Sequence, residues 1–124
     1  MNSSPEPDHV QRVLLVDDDA GVLDAMRMAF EGAGKDVVAC ATFEEAHHRL
    51  LTEHYQCLVT DVRLGAFNGL QLGVIARDKN PDIGIIVFTG FDDAVLREEA
   101  EHLGATYVVK PVTAERLLEL IDDC

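Results

Sequence analysis

The sequence predicts a single α/β domain in which a five-stranded parallel sheet carries helices on both faces. Five short runs of aliphatic and β-branched residues are typical of buried strands and are too short for helices. Segments with helical spacing of apolar residues lie between them. The length of 124 residues and the 48% hydrophobic content suit one domain with one core. Because such strand–helix units connect in a right-handed sense, the prediction is a doubly wound (βα)5 fold.

Each of the ten elements has its own signal. The predicted strands are residues 13–16, 37–40, 57–59, 83–88 and 107–109. The apolar stripes of four helices are Val22, Met26, Ala29 and Phe30; Phe43, Ala46, Leu50 and Leu51; Leu70, Val74 and Ile75; and Leu117, Leu118 and Ile121. The remaining helical segment, fourth in chain order, contains Ala94, Val95, Glu98 and His102. Helix starts are indicated by Asp19, Thr42 and Thr113, and helix ends by Gly34, Gly104 and Pro81.

Composition narrows the classes of function. A net charge of −13 predicts a surface that repels nucleic acid and anionic lipid. No apolar run reaches the roughly 20 residues of a membrane span. Three cysteines without a CxxC pair argue against a disulfide framework and fit a reducing, cytoplasmic compartment. Residues 1–11 are polar and are expected to form a flexible leader before a domain spanning residues 12–124.

Polar residues follow four of the five strands. Asp17 and Asp18 follow the first strand, Asp61 the third, Thr89 the fourth and Lys110 the fifth. In an open parallel sheet these positions meet at the carboxyl edge, where sites form. Clustered carboxylates require a counter-charge, and Mg²⁺ takes oxygen ligands while leaving room for a phosphate. The set predicts phosphoryl transfer, with a carboxylate as nucleophile.

The pattern resembles the receiver domain of two-component response regulators, the chemotaxis-type signalling fold. The resemblance covers residues 12–122 and implies a strand order of 2-1-3-4-5. The motifs that carry it are Leu14-Leu15-Val16-Asp17-Asp18-Asp19, Asp61 with Gly69 eight residues later, Thr89-Gly90, and Tyr107-Val108-Val109-Lys110-Pro111.

The resemblance implies a phospho-acceptor and a metal site. Asp61 corresponds to the residue that receives the phosphoryl group. Asp17, Asp18 and Asp61 correspond to the Mg²⁺ ligands, together with the backbone carbonyl of Arg63. No other cofactor is implied, and the domain is expected to catalyse only its own phosphorylation and dephosphorylation.

The resemblance also implies a switch. Lys110 corresponds to the lysine that pairs with the phosphoryl group, Thr89 to the hydroxyl that moves towards it, and Tyr107 to the aromatic side chain that changes rotamer. Pro111 is expected to follow a cis peptide bond.

Partners follow from the same resemblance. The phosphoryl donor is expected to be a sensor histidine kinase or a phosphotransfer protein. An output domain or a downstream protein is expected to read the face formed by the fourth helix, fifth strand and fifth helix, in a monomer or a phosphorylation-dependent dimer. The expected members of this face are Asp92, Asp93, Leu96, Tyr107, Thr113 and Arg116.

Two departures from the family pattern stand near the acceptor. Leu64-Gly65 replace the common Met-Pro, and Gly65 is expected to loosen that loop. Arg63 and Phe91 occupy positions that tune loss of the phosphoryl group in the family. Phe91 is expected to shield that group from water, which predicts slow self-dephosphorylation.

Three alternatives compete with this reading. A haloacid-dehalogenase-type small phosphatase would use Asp17 as nucleophile, but it would leave Asp61 without a role. A flavodoxin-like cofactor binder needs a Ser-, Thr- and Gly-rich loop where this chain has acidic residues. A receiver-like fold that serves only as an unphosphorylated interaction module would not need Lys110 and Thr89 beside Asp61.

Overall fold

The computed structural model describes residues 10–124 and contains one five-stranded parallel sheet. The elements are β1 (Arg12–Val16), α1 (Ala20–Gly32), β2 (Asp36–Cys40), α2 (Phe43–Thr52), β3 (Cys57–Asp61), β4 (Arg63–Leu64), β5 (Phe67–Asn68), α3 (Gly69–Lys79), β6 (Gly84–Thr89), α4 (Ala94–Leu103), β7 (Thr106–Val109) and α5 (Ala114–Asp122). Residues 1–9 of the expected leader lie outside the described residues. None of the helices in residues 10–124 is long and apolar enough to cross a membrane.

The sheet has the order β2-β1-β3-β6-β7, and all of its pairs are parallel. This is the predicted order 2-1-3-4-5 once the two short strands β4 and β5 are left out of the count. The chain passes from β1 to β2 on one side and then to β3 on the other. The carboxyl ends of β1 and β3 therefore flank the point where the winding reverses, which is where sites form in such sheets.

Two apolar layers sandwich the sheet because successive side chains of a strand point to opposite faces. Val13 and Leu15 join α1 and α5 on one face, whereas Leu14 and Val16 join α2, α3 and α4 on the other. All four of these β1 side chains are fully buried. The predicted runs therefore correspond to strands covered on both sides, and the five-stranded α/β prediction is confirmed.

The predicted helix boundaries are also present. The side chains of Asp19, Thr42 and Thr113 each accept hydrogen bonds from backbone N–H groups in the first turn of α1, α2 and α5. Gly104 ends α4 with a φ of 77°, a conformation that favours glycine. The Lys110–Pro111 peptide bond is cis, as expected.

Three residues predicted to face the core are exposed instead. Val74, Leu51 and Val95 lie on outward faces of α3, α2 and α4. In α3 the buried residues are Gly69, Leu70, Leu72, Gly73 and Ala76. Because glycine has no side chain, Gly69 and Gly73 are not recognised as apolar positions in the sequence. The apolar spacing therefore wrongly assigns Val74 to the buried face.

The β4–β5 hairpin was not predicted. Arg63 pairs with Asn68, and Leu64 pairs with Phe67. Gly65 occupies the first turn position with a φ of 62°, which a two-residue hairpin turn requires there. The segment is thus a paired hairpin, and the expected loosening by Gly65 stays a prediction.

Candidate functional site

Three carboxylates meet at the carboxyl edge of β1 and β3. Asp17, Asp18 and Asp61 each offer an oxygen atom, and these atoms lie within 4.8 Å of one another. Asp17 is fully buried, Asp61 is 8% exposed and Asp18 is exposed. The parallel register of β1 and β3 places these strand ends side by side. The prediction that these carboxylates cluster at one edge of the sheet is therefore confirmed.

Asp17 is held in an unfavourable environment for a charge. Its Oδ1 accepts a hydrogen bond of 2.8 Å from the Asp19 N–H, whereas its Oδ2 is buried without a hydrogen-bond partner. Burial raises the pKa of Asp17, and the Asp19 N–H and the charge of Lys110 offset this only partly. An oxygen atom of this kind needs a proton or a cation.

Asp61 has one partner on each carboxylate oxygen. Its Oδ1 accepts a 3.1 Å hydrogen bond from the Arg63 N–H, and its Oδ2 accepts one of 2.9 Å from Lys110 Nζ. Lys110 Nζ also lies 3.7 Å from Asp17 Oδ2. Burial lowers the pKa of Lys110, but Asp61 and Asp17 more than compensate and leave it above its ordinary value. The lysine is therefore a fixed positive charge shared by two carboxylates.

The backbone beside Asp61 leaves no room for another side chain. Gly69 begins α3, and its N–H donates a 2.6 Å hydrogen bond to the Val62 carbonyl. A Cβ on Gly69 would lie 2.0 Å from the Asp61 carbonyl oxygen and 2.9 Å from Thr60 Oγ1. The spacing of eight residues between Asp61 and Gly69 thus has a steric cause.

Thr89 and Tyr107 form hydrogen bonds with the segment that follows β6. Thr89 is 1% exposed, and its Oγ1 accepts a 3.3 Å hydrogen bond from the Phe91 N–H. The Tyr107 hydroxyl donates a 2.7 Å hydrogen bond to the Phe91 carbonyl and accepts one of 3.4 Å from the Asp93 N–H. Both side chains therefore hold the backbone of Phe91, the first residue after Gly90 in the β6–α4 loop.

An aromatic contact spans the loops after β3 and β6. The Arg63 guanidinium lies 4.0 Å from the centroid of the Phe91 ring, a cation–π contact. Phe91 is 52% exposed, so the pair lies on the surface beside Asp61. Both residues were singled out from the sequence, but their contact was not predicted.

Sequence reasoning missed two supporting groups. The Gly65 N–H donates a 3.2 Å hydrogen bond to Asp18 Oδ2, and Thr60 Oγ1 donates one of 2.9 Å to the Asp61 carbonyl. The first depends on a hairpin without a sequence signal. The second residue sits inside β3, where a threonine looks like any other strand residue.

The model of the response regulator receiver domain family matches residues 13–122. The chain belongs to the response regulator receiver domain family. The receiver domain is 31% identical over 111 residues to the response regulator protein FleR of Pseudomonas aeruginosa, which covers 89% of this chain and 24% of FleR. It is 28% identical over 111 residues to the transcriptional regulatory protein FixJ of Bradyrhizobium diazoefficiens, covering 89% of this chain and 54% of FixJ. The receiver domain thus spans a quarter to a half of the length of these two curated relatives.

Solved structures agree with this assignment. A CheY-like receiver domain protein from Methanospirillum hungatei has a TM-score of 0.87 and 30% identity, with 92% of each chain covered. A response regulator from Burkholderia pseudomallei, solved with a phosphorylated aspartic acid, a calcium ion and citrate, has a TM-score of 0.83 and 27% identity. That match covers 90% of the receiver domain and 66% of the other chain. The names of these proteins describe response regulators and a transcriptional regulatory protein.

Proposed function

We propose that this receiver domain is a switch that accepts a phosphoryl group on Asp61 from a histidine kinase or a phosphotransfer protein. The observation that carries the proposal is the placement of Asp61 at the end of β3, between a cationic Lys110 and two further carboxylates. Nucleophilic attack by a carboxylate on a phosphoryl group needs positioning and neutralised charge. The phosphorylated aspartic acid in the Burkholderia structure is consistent with this chemistry.

A divalent cation fits the acidic cluster. The unpartnered, buried Oδ2 of Asp17 is the kind of oxygen atom that a cation satisfies, and Lys110 supplies one positive charge for three carboxylates. We assign Asp17, Asp18, Asp61 and the Arg63 carbonyl as the residues that would hold Mg²⁺. When bound, the ion would neutralise the oxygens of the incoming phosphoryl group.

The other site residues act on the phosphoryl group directly. Lys110 is placed to exchange its bond to Asp61 Oδ2 for one to a phosphoryl oxygen. The N–H of Arg63 keeps the other oxygen, Oδ1, oriented. Asp61 Oδ2 would thus become the attacking atom, because its hydrogen-bond partner is the Lys110 side chain and not a backbone N–H.

The switch would work through the backbone of Phe91. In this structure Thr89 Oγ1 accepts from the Phe91 N–H, and the Tyr107 hydroxyl donates to the Phe91 carbonyl. If the Thr89 hydroxyl turns to donate to a phosphoryl oxygen, it releases the Phe91 N–H. The loop can then move, and Tyr107 loses its hydrogen-bond partner. Phosphorylation would favour this second conformation because the phosphoryl group makes better contacts in it than in the first.

The surface read by partners would be formed by α4, β7 and α5. Tyr107 lies on β7 beneath Arg97 of α4, whose guanidinium is 4.6 Å from the centroid of the Tyr107 ring. A rotamer change of Tyr107 would therefore disturb α4 first. An output domain, a downstream protein or a second phosphorylated copy is the proposed reader of this face.

Several expectations remain part of the proposal. Two of them rest on the sequence alone. One is the boundary between a leader at residues 1–11 and a receiver domain at residues 12–124, and the other is the cytoplasmic location. The net charge of −13 favours protein partners over nucleic acid and membranes for this domain.

The phosphatase alternative with Asp17 as nucleophile fits the geometry less well. Asp17 is fully buried and keeps its Oδ1 on the Asp19 N–H, whereas Asp61 has the accessible oxygen beside Lys110. A fully buried carboxylate is poorly placed to attack an incoming phosphoryl group.

Incubation with Mg²⁺ and a small acyl phosphate, followed by intact mass measurement, tests the proposal. We expect the chain to gain one phosphoryl group and Asp61→Asn to gain none. A gain that survives Asp61→Asn but disappears in Asp17→Asn would support the phosphatase instead.

A further inference from the structure

Two of the three cysteines lie together at the end of the sheet opposite the acidic cluster. Cys57 is the first residue of β3 and is fully buried on the face covered by α1 and α5. Cys124 lies two residues beyond the end of α5 and is exposed. The Cys124 N–H donates a 2.9 Å hydrogen bond to the Ile121 carbonyl, which turns the chain back against the helix.

Gly84 makes room for Cys124 beside Cys57. Gly84 is the direct partner of Cys57 in the parallel β3–β6 ladder. Partnered residues of adjacent strands point to the same face and are about 4.8 Å apart. A Cβ on Gly84 would lie 2.4 Å from the Cys124 Sγ and 2.7 Å from its Cβ. The Cys124 thiol thus occupies the side-chain position that Gly84 leaves empty, next to the Cys57 side chain.

The two thiols differ in their readiness to ionise. A hydrogen bond between them raises the pKa of Cys57 and lowers the pKa of Cys124, and burial raises the pKa of Cys57 further. The nearby charge of Lys35 favours the thiolate at both positions. Cys124 is the exposed thiol and meets an oxidant first, whereas Cys57 is fully buried.

We propose that Cys57 and Cys124 form a reversible intramolecular disulfide when the protein meets hydrogen peroxide or another hydroperoxide. The Cys124 thiolate attacks a peroxide oxygen, which forms a sulfenic acid and releases hydroxide. The Cys57 sulfur then attacks the Cys124 sulfur, the disulfide bond forms and the sulfenic oxygen leaves as water after protonation. Two thiols are oxidised to one disulfide, and hydrogen peroxide is reduced to two waters; an organic hydroperoxide would instead be reduced to one alcohol and one water.

The link would join the end of α5 to the start of β3. Because α5 borders the surface proposed to be read by partners, oxidation would act on that surface from the end remote from Asp61. The site needs neither phosphorylation nor a metal ion. Its test is therefore independent of the proposed phosphoryl transfer.

Peptide mapping of the full 124-residue chain after peroxide treatment tests the proposal. Reduced protein is treated with equimolar hydrogen peroxide, denatured, alkylated and digested without reductant. We expect a peptide pair linking Cys57 to Cys124, an intact mass lower by two hydrogen atoms, alkylation of Cys40 alone, and full reversal by dithiothreitol. Cys124 recovered as sulfinic acid, or linked to a second chain while Cys57 is alkylated, would overturn the proposal.

Variants test whether the disulfide depends on the position of Cys124 beside Gly84 or only on the presence of two thiols. Gly84→Ala keeps all three cysteines, but its Cβ takes the space of the Cys124 Sγ, so the link should be strongly reduced at the same peroxide dose. Cys124→Ser, a change at an exposed position, should abolish the link, whereas Cys40→Ala should leave it intact. A Gly84→Ala protein that crosslinks as fast as the unaltered chain would contradict the argument.

Discussion

At the residue scale, Asp17 defines the electrostatics of the site. It is buried, one of its oxygens has no partner, and its pKa is raised. Between the ordinary carboxyl pKa of 3.8 and the raised value, the folded state binds more protons than the unfolded state. The metal-free protein should therefore lose stability as pH rises through this interval, and a bound cation should restore it.

Asp17→Asn should separate these two effects. In metal-free buffer at neutral pH, the free energy of unfolding should rise relative to the unaltered chain, because the buried charge is gone. Mg²⁺ at about 100 times its Kd should stabilise the unaltered chain by about 2.7 kcal/mol and the variant much less. Urea unfolding with and without Mg²⁺ measures both differences.

Asp19→Asn is the matched control. It removes one negative charge next to the site, and asparagine still caps α1. Its Mg²⁺-dependent stabilisation should remain. A metal-free Asp17→Asn protein that is less stable than the unaltered chain would show that Asp17 is satisfied without a cation.

Phe91 carries a second residue-scale prediction. Stacked under Arg63 beside Asp61, its ring should hinder water from reaching a phosphoryl group. Phe91→Ala should shorten the phosphorylated half-life several-fold, measured as the decay of phosphorylated mass after removal of the donor. Met28→Ala, an exposed position on α1, should leave the half-life unchanged. An unaltered protein that dephosphorylates as fast as the fastest chemotaxis-type receivers would refute the shielding.

At the element scale, the start of α3 is fitted to the end of β3. Gly69→Ala would force a Cβ against the Asp61 carbonyl, which is backbone and cannot turn aside. We expect a loss of about 1–3 kcal/mol in unfolding free energy, as in overpacked cores, together with slower phosphorylation. Denaturant unfolding and the rate of mass gain from an acyl phosphate measure these effects.

Gly73→Ala provides the comparison within the same helix. Its Cβ would clash only with the end of the Leu103 side chain, which can move, and would touch Ile85 at ordinary contact distances. Alanine also favours the helix over glycine by up to about 1 kcal/mol. The cost of Gly73→Ala should therefore be smaller, and phosphorylation should be unaffected. Equal losses in the two variants would contradict the steric account of Gly69.

The elements differ in how far the sequence could predict them. β1 and β6 were recognisable because they are continuous apolar runs, and α1, α2 and α5 because polar caps precede them. The β4–β5 hairpin escaped prediction because strands of two residues show no periodicity. The site residues that follow strands were found from strand order alone. Their present partners, such as Phe91 for Thr89 and Tyr107, depend on loop conformation that no local pattern encodes.

At the scale of the whole molecule, the two proposed sites lie at opposite ends of the parallel strands. The acidic cluster and Lys110 lie at the carboxyl ends of the strands, whereas Cys57 and Gly84 lie at the opposite ends. Between them, residues 13–16 of β1 and all residues of β3 are buried. The polarity of the parallel strands thus places the proposed phosphorylation site and the proposed disulfide at opposite ends of the domain.

The central claim is that Asp61, and no other carboxylate of the cluster, receives the phosphoryl group. Borohydride reduction converts an aspartyl phosphate to homoserine, so tandem mass spectrometry after reaction with an acyl phosphate and Mg²⁺ locates the acceptor. We predict homoserine at position 61 and aspartate retained at positions 17 and 18. Homoserine at position 17 or 18, or an unmodified Asp61 under these conditions, would contradict the account.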